Sequence, residues 1–230
     1  MRLAWSRILG LDGDGVTAVG RRRYRQTDAT GAVMFVRLFG ESVFLGPSWA
    51  CAAARRHGDD DLASIRTLLE LCAGRHGRAI GHATLAYTDT YVPVPSFDQV
   101  VSREPEAVAA LENVCPPDDV LEVGLTEMVE TFVLVDEYAP QVALAGSGYL
   151  EWERILGHVG VLTDPAHRGA GLATAVGAVA TNDALDAGLV PQWRTRVGNA
   201  ASRRVAAALG YTEVGSQTTV VLPTESRADA

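Results

Sequence analysis

Apolar and polar positions change period several times along this chain, and each change predicts an element. Residues 32–39 and 43–45 are short apolar runs on either side of Gly40, the signature of two strands. Residues 49–56 are alanine-rich and predict a helix. Leu62, Ile65, Leu68, Leu69 and Cys72 then recur at three- and four-residue spacing, which predicts one amphipathic helix ended by Gly74. Residues 78–91 return to the pattern of a strand or strand pair.

A helix is expected around residues 119–125, followed by strand-rich sequence. The runs at 131–135 and 141–150 predict a hairpin joined through 136–140, and 156–163 predicts a further strand. Leu172, Val176 and Val179 mark the core stripe of a helix that Gly188 and Pro191 end; Val205 and Leu209 mark a second one closed by Gly210. Between these helices Trp193, Thr195 and Val197 alternate with Gln192, Arg194 and Arg196, as in a strand with one buried and one solvated face. The fold class expected is therefore α/β (α+β). Paired prolines lack amide donors and bias their neighbours away from helix, so Cys115-Pro116-Pro117-Asp118-Asp119 divides the chain into halves at 1–115 and 116–230.

At 230 residues and 47% hydrophobic content the chain can bury a substantial core. No stretch reaches the roughly 18 consecutive apolar residues of a membrane span, and Ser6 and Arg7 interrupt the N-terminal apolar segment, so neither an anchor nor a signal peptide is expected. Cys51, Cys72 and Cys115 are odd in number and show no metal-binding spacing, which predicts buried thiols in a reducing cytoplasm. A formal charge of -8 argues against nucleic-acid binding, and the basic run at Arg21 to Arg23 is short. It weakly favours cationic acceptors such as amines. Leu11-Asp12-Gly13-Asp14-Gly15 lacks the remaining ligands of a calcium loop and reads as a turn, and no metal is expected.

The segment richest in chemistry is Val161-Leu162-Thr163-Asp164-Pro165-Ala166-His167-Arg168-Gly169-Ala170-Gly171-Leu172-Ala173-Thr174, a strand, a proline turn and a glycine-rich helix start. The first amides of a helix lack intrahelical acceptors, and the macrodipole adds positive character at that end. Gly169 and Gly171 carry no Cβ, so a diphosphate can approach the backbone, and Arg168 adds a full charge. The same string also fits an ordinary strand-to-helix turn.

A second helix start, Asn199-Ala200-Ala201-Ser202, follows the next strand and closes in Leu209-Gly210-Tyr211. Together these two motifs resemble the GNAT superfamily of N-acetyltransferases over residues 129–222. The resemblance implies a mixed, centrally splayed β-sheet flanked by helices. It implies acetyl-CoA as acyl donor, with the pyrophosphate on the backbone of Gly169, Ala170, Gly171, Leu172 and Ala173 and a hydroxyl from Thr174. Val161, Leu162 and Thr163 would pair with the pantetheine arm like an added strand, where parallel strands ending at Thr163 and Val197 part. A backbone amide there would stabilise the thioester oxyanion. Asn199 and Ser202 would add cofactor contacts, although Asn199 also fits a plain helix N-cap.

In this picture residues 116–230 are an acetyl-CoA-binding catalytic domain. Residues 1–115, which carry none of the motifs, are a divergent half, read either as a degenerate second copy that shapes the acceptor site or as a separate small regulatory module. The activity implied is acetyl or short-acyl transfer to a small-molecule or peptide amine by direct attack in a ternary complex, in a cytoplasmic monomer or homodimer without nucleic-acid or membrane partners. The alternative is a noncatalytic acyl-CoA-binding or sensing protein. Many family members place a proton-donating tyrosine seven residues after the motif asparagine; here that position is Ala206. Ser202 shares its face and is the candidate substitute. His158 and Glu122 are candidate bases, with Glu127, Glu130 and Glu151 competing, and Trp152 and Trp193 are candidate pocket walls or plain core.

Overall fold

The computed structural model describes residues 1–11, 22–28, 31–95 and 98–223; the turn expected at residues 12–15, and Arg21, lie outside them. In chain order the elements are α1 (Arg2–Ile8), β1 (Arg23–Gln26), β2 (Ala32–Leu38), β3 (Glu41–Gly46), α2 (Ser48–Ala54), α3 (Asp59–Ala63), α4 (Ile65–Leu71), β4 (Arg78–Tyr87) and β5 (Val100–Ser102). Then come α5 (Pro105–Val114), α6 (Pro117–Val123), β6 (Glu130–Val135), β7 (Ala143–Trp152), β8 (Leu156–Thr163), α7 (Leu172–Asp186), β9 (Val190–Arg196), α8 (Ala200–Ala208) and β10 (Thr212–Val221). Among the described residues no helix is long and apolar enough to cross a membrane.

Contacts divide the chain into two units. The first holds Met1–Leu85, Thr195–Gly198 and, of the described residues, 213–223. The second holds Ala86–Arg194 and Asn199–Thr212. The division expected at Cys115 instead falls inside the second unit. Pro117 occupies the first turn of α6, where a missing N–H costs nothing, so the proline pair starts a helix and does not mark a linker.

In the first unit the strand order is β1-β3-β2-β10-β4. Residues β2 and β3 form an antiparallel hairpin, β10 pairs antiparallel with β2, and β1 runs parallel to β3. Val33, Phe35 and Val220 on these strands bury against Phe44 and against Ala50, Leu62 and Leu68 of the helices. Each fully buried large side chain contributes about 1.5–3 kcal/mol. The helix expected across Leu62 to Cys72 is broken at Ser64, which is extended at φ -77 and ψ 127. The Ala63 carbonyl that an unbroken helix would satisfy accepts a 2.7 Å hydrogen bond from Thr218 Oγ1 on β10 instead.

The second unit has the order β9-β8-β7-β6-β5. The pairings from β5 to β8 are antiparallel and β8–β9 is parallel, which is the mixed sheet expected. Strand alternation sends Phe132 and Leu134 of β6 to one face, into a cluster with Leu172 and Val176 of α7 and Leu209 after α8. Val133 and Val135 go to the other face, against Val108 and Leu111 of α5. Trp193 lies 3% exposed in the α7 cluster, so it is core and walls no pocket. Gln192, expected on a solvated face, is 0% exposed. A parallel strand inside a sheet is covered on both faces, so alternation in the sequence does not mark a wet side.

Gly148 on β7 shows how tightly this sheet is set. A Cβ there would collide with the Glu130 carbonyl oxygen on β6, and backbone cannot move aside as a flexible side chain can. Gly148→Ala is expected to destabilise the protein by about 1–3 kcal/mol, read as a lower urea midpoint. An unchanged midpoint would show that the β6–β7 register adapts.

Candidate active site

Two sets of backbone donors lie in sequence along the second unit. The β8–β9 ladder consists of four pairs, from Leu156 with Val190 to Val159 with Trp193, although both strands continue beyond it. Asp164 N–H donates to the Leu144 carbonyl on β7, so by alternation Leu162 and Gly160 also face β7, whereas Val161 and Thr163 face the side where β9 has parted. Their N–H groups have no strand partner there among the described residues. The splayed parallel pair expected at this place is therefore present in the backbone.

The second set opens α7. Its N-cap Gly171 has φ 81, and Gly169 has φ 84, left-handed conformations that glycine adopts without strain. A Cβ built at either position meets no atom within 4 Å, so the backbone is open to a ligand. Thr174 and Ala175 N–H both donate to the Gly171 carbonyl, whereas Gly169, Ala170, Gly171, Leu172 and Ala173 N–H donate to no acceptor among the described residues. The loop before them is held by Asp164, whose carboxylate accepts from Ala166 N–H at 2.9 Å and from His167 Nδ1 at 2.7 Å. Those bonds, the backbone one foremost, hold the Asp164 pKa below its usual range. Arg168 is not a loose cation. Its Nη2 donates to Asp119 of α6 at 2.8 Å, and its Nε reaches the Thr163 carbonyl at 3.4 Å.

Around α8 the candidates are occupied. The Asn199 carboxamide accepts from Ser202 N–H at 3.0 Å, a side-chain N-cap. Ser202 Oγ accepts from Trp193 Nε1 at 2.9 Å, which fixes the hydroxyl against β9. Ala206 is buried in the core.

The opposite face of β8 gathers groups that are scattered in the sequence. His158 stacks on Trp152 with centroids 4.4 Å apart, and its Nδ1 accepts from Gln192 Nε2 at 3.4 Å. Gln192 Oε1 in turn accepts from Tyr87 O–H at 2.5 Å, which satisfies this buried amide. Burial first, and the nearby Arg194 guanidinium second, push the His158 pKa down to about 4. Arg194 follows Gln192 by two residues on the same face, and its own pKa is lowered by burial and raised by Glu122. Gly160 lets α6 lie close, since a Cβ there would stand 2.6 Å from Met128 Cε and 3.1 Å from Val123 Cγ1. Exposed Glu122 on α6 acts electrostatically on Arg194, against the effect of its burial. Of this group, sequence patterns singled out His158, Glu122 and Trp152; Tyr87, Gln192 and Arg194 carry no local signal, because only strand register makes them neighbours. The three cysteines are buried and free, with pKa values raised by burial, which leaves none activated as a nucleophile.

The first unit holds a cavity of about 560 Å³ lined by residues that include Arg37, Glu41, Asp59, His82 and Glu213. Its charges are largely matched within the protein, Glu41 by Arg2 at 2.7 Å, Asp59 by Arg22 at 2.5 Å and Arg37 by Asp60 at 2.7 Å.

Comparison with known proteins adds the following. Residues 136–220 match the family model described as GNAT acetyltransferase. The motifs at 161–174 and 199–211, which carry the resemblance, fall within that stretch. No curated protein matches the chain. Among solved structures, an acetyltransferase from the GNAT family of Colwellia psychrerythraea aligns at TM-score 0.50 and 17% identity, over 68% of this chain and 61% of that one. A Drosophila protein aligns at TM-score 0.53 and 14% identity, over 69% and 57%. A GCN5-related N-acetyltransferase from Kribbella flavida aligns at TM-score 0.48 and 18% identity, over 82% and 70%. The first two share the fold, and this chain spans about three-fifths of their length.

The His158 environment makes stability depend on pH. Between the ordinary value of 6.5 and about 4, the unfolded chain binds a proton that the native site does not. Stability is therefore complete above 6.5 and falls as pH drops through this window, by at most about 3 kcal/mol. Urea midpoints at pH 7.5 and 4.5 are expected to differ less in His158→Gln than in the wild type. Parallel behaviour of the two proteins would assign the titration to another group.

Proposed function

We propose that this chain, with its GNAT-matching segment at residues 136–220, is an acyltransferase that moves an acetyl or similarly short acyl group from coenzyme A to a primary amine. One observation carries the reading. N–H groups without an acceptor among the described residues run from Val161 and Thr163 on the splayed edge of β8 to Gly171, Leu172 and Ala173 at the start of α7, an order that suits an amide-bearing arm followed by a diphosphate.

Bound acetyl-CoA supplies a thioester; the amine's attack forms a C–N bond, the C–S bond breaks, the amine loses a proton and the departing thiolate gains one. The chain's own groups divide the remaining work. The pantetheine arm pairs with the edge of Val161, Leu162 and Thr163, whose outward amides are those of Val161 and Thr163. Val161 N–H is also the donor placed to hold the carbonyl oxygen as it gains charge. The pyrophosphate sits on the amides of Gly169, Ala170, Gly171, Leu172 and Ala173 beside the Thr174 hydroxyl, and Arg168 exchanges its exposed Asp119 partner for it, a small sacrifice at an exposed pair. His158 is neutral and its Nδ1 is taken by Gln192, so the amine proton passes to water. Ser202 accepts from Trp193 and keeps its own hydrogen for a hydrogen bond to the thiolate, which takes its proton from water.

A second reading, acyl-CoA binding without turnover, is favoured by Ala206 in place of the donor tyrosine and by the commitment of the Asn199 carboxamide to its cap. The two readings agree on the site and part on chemistry. Calorimetric titration with acetyl-CoA tests the site. Gly171→Ala adds a Cβ in open space at φ 81 and so measures backbone strain alone, whereas Gly171→Glu adds a negative charge. Binding is expected to fall at least tenfold further in the Glu variant than in the Ala variant, a difference of about 1.4 kcal/mol or more. Equal affinities would remove the pyrophosphate from this turn. Thiol release from acetyl-CoA with a panel of amines tests catalysis, and tight binding with no release for any acceptor would establish the binding protein instead.

A further inference from the structure

A hydrogen-bond chain runs across β4, β9 and β8 on the face away from α7, and it has a direction. Tyr87, 4% exposed, donates its O–H to Gln192 Oε1. That bond turns the amino end of the carboxamide towards β8, where Gln192 Nε2 meets His158 Nδ1 at 3.4 Å. Gln192 is fully buried, so its amide has no water to turn to. A neutral imidazole has one bare nitrogen and one N–H, and the bond made at one nitrogen sets the role of the other. With Nδ1 accepting, the proton sits on Nε2. Among the described residues Nε2 meets no partner, and the His158 side chain is only partly buried. Trp152 stacks on the ring with centroids 4.4 Å apart and fixes its plane. Because burial and the Arg194 guanidinium push the His158 pKa down to about 4, the ring stays neutral at neutral pH and keeps a single N–H to offer.

Accepting acyl transfer at the β8–β9 split, such a ring has one use among the reacting groups. An N–H aimed at the amine would mask the lone pair that attacks, whereas the thioester oxygen gains negative charge and needs donors. A neutral imidazole supplies one without changing its own charge. We propose that His158 is a second donor to the thioester oxygen, alongside Val161 N–H, and that Tyr87 and Gln192 are positioning residues that hold its proton on Nε2. The placement suits this role, since His158 and Gln192 form the pair next to Val159 and Trp193, where the ladder ends. The same order removes His158 from the candidate bases: one nitrogen is occupied and the other already carries its proton. A buried amide between a buried phenol and a partly exposed ring is thereby given a task that packing alone does not require.

The test reads the tautomer directly, on the full-length protein labelled with nitrogen-15 in its five histidines. Long-range proton–nitrogen spectra distinguish a bare Nδ1 from a bare Nε2, and the His158 signals are those that His158→Gln removes. At pH 7.5 the wild type is expected to show a neutral ring with its proton on Nε2. Gln192→Glu puts an acceptor where the amide donated and should move the proton to Nδ1. Tyr87→Phe frees the carboxamide to turn and should give a mixture of tautomers. The donor role is read from the infrared band of the thioester carbonyl in bound acetyl-CoA, isolated by carbon-13 labelling. That band is expected at lower frequency in the wild type than in His158→Ala, with acetyl-CoA affinity within twofold, and His158→Gln, which keeps an N–H, should recover part of the shift. In turnover, His158→Ala should lower kcat at least tenfold with little change in KM. A proton on Nδ1 in the wild type, a charged ring at pH 7.5, or one unaltered tautomer in both Gln192→Glu and Tyr87→Phe would overturn the positioning chain. A carbonyl band indifferent to His158→Ala would overturn the donor role. Failure of acetyl-CoA to bind at all would defeat the acyl-transfer reading and the donor role with it, while the tautomer is judged separately on the free protein.

Discussion

Backbone N–H groups need acceptors, and a fold that leaves several of them without protein partners in one place has prepared a site for something else. In this chain the deficit has two sources that meet end to end. A parallel ladder stops after Val159 and Trp193, and a helix begins at a left-handed glycine two residues beyond another. The first frees amides spaced as in a strand, and the second frees amides that converge on a point. The proposed ligand, extended and amide-bearing with a diphosphate at one end, would answer both. The rest of the second unit serves to hold these elements in order: Leu172 and Val176 anchor α7 in the core, and Asp164 ties the loop between strand and helix.

Charge on the other face of the sheet follows from a different constraint. Gly160 admits α6 to close contact with β8, and exposed Glu122 of that helix acts electrostatically on half-buried Arg194. Arg194 in turn adds to the burial that keeps His158 neutral. A weakly basic imidazole and a cationic fork side by side favour binding and orientation over strong proton abstraction. In the proposed transfer the amine would then depend on its own ionisation and on water, with a thioester as its reactive partner.

The parts of this site that share one stretch of sequence were legible in it. Glycines at 169 and 171 after a strand, an asparagine at a later helix start and the spacing of Val161 to Thr163 are local facts, and the structure places them in the expected backbone settings. Legibility stopped where a residue's neighbours come from other elements. Gln192 and Arg194 looked like the wet side of a half-buried strand, and Trp193 like a candidate pocket wall; register against β8 buried the glutamine, brought arginine beside His158 and turned the tryptophan into the α7 core. The helix drawn across Leu62 to Cys72 had the right periodicity, but Thr218, more than 150 residues away, captured the carbonyl at which it breaks.

By itself, then, the sequence determined the succession of strands and helices in the second unit and the glycine turn at Arg168 to Thr174 that opens a helix, because hydrophobic period and glycine at a helix start act within a few residues. Tertiary structure alone decided where the units divide, which side chains are paired already, and what faces the open end of the ladder. Those outcomes depend on strand register and on the close approach of α6, and both are settled by contacts between residues that the chain keeps far apart.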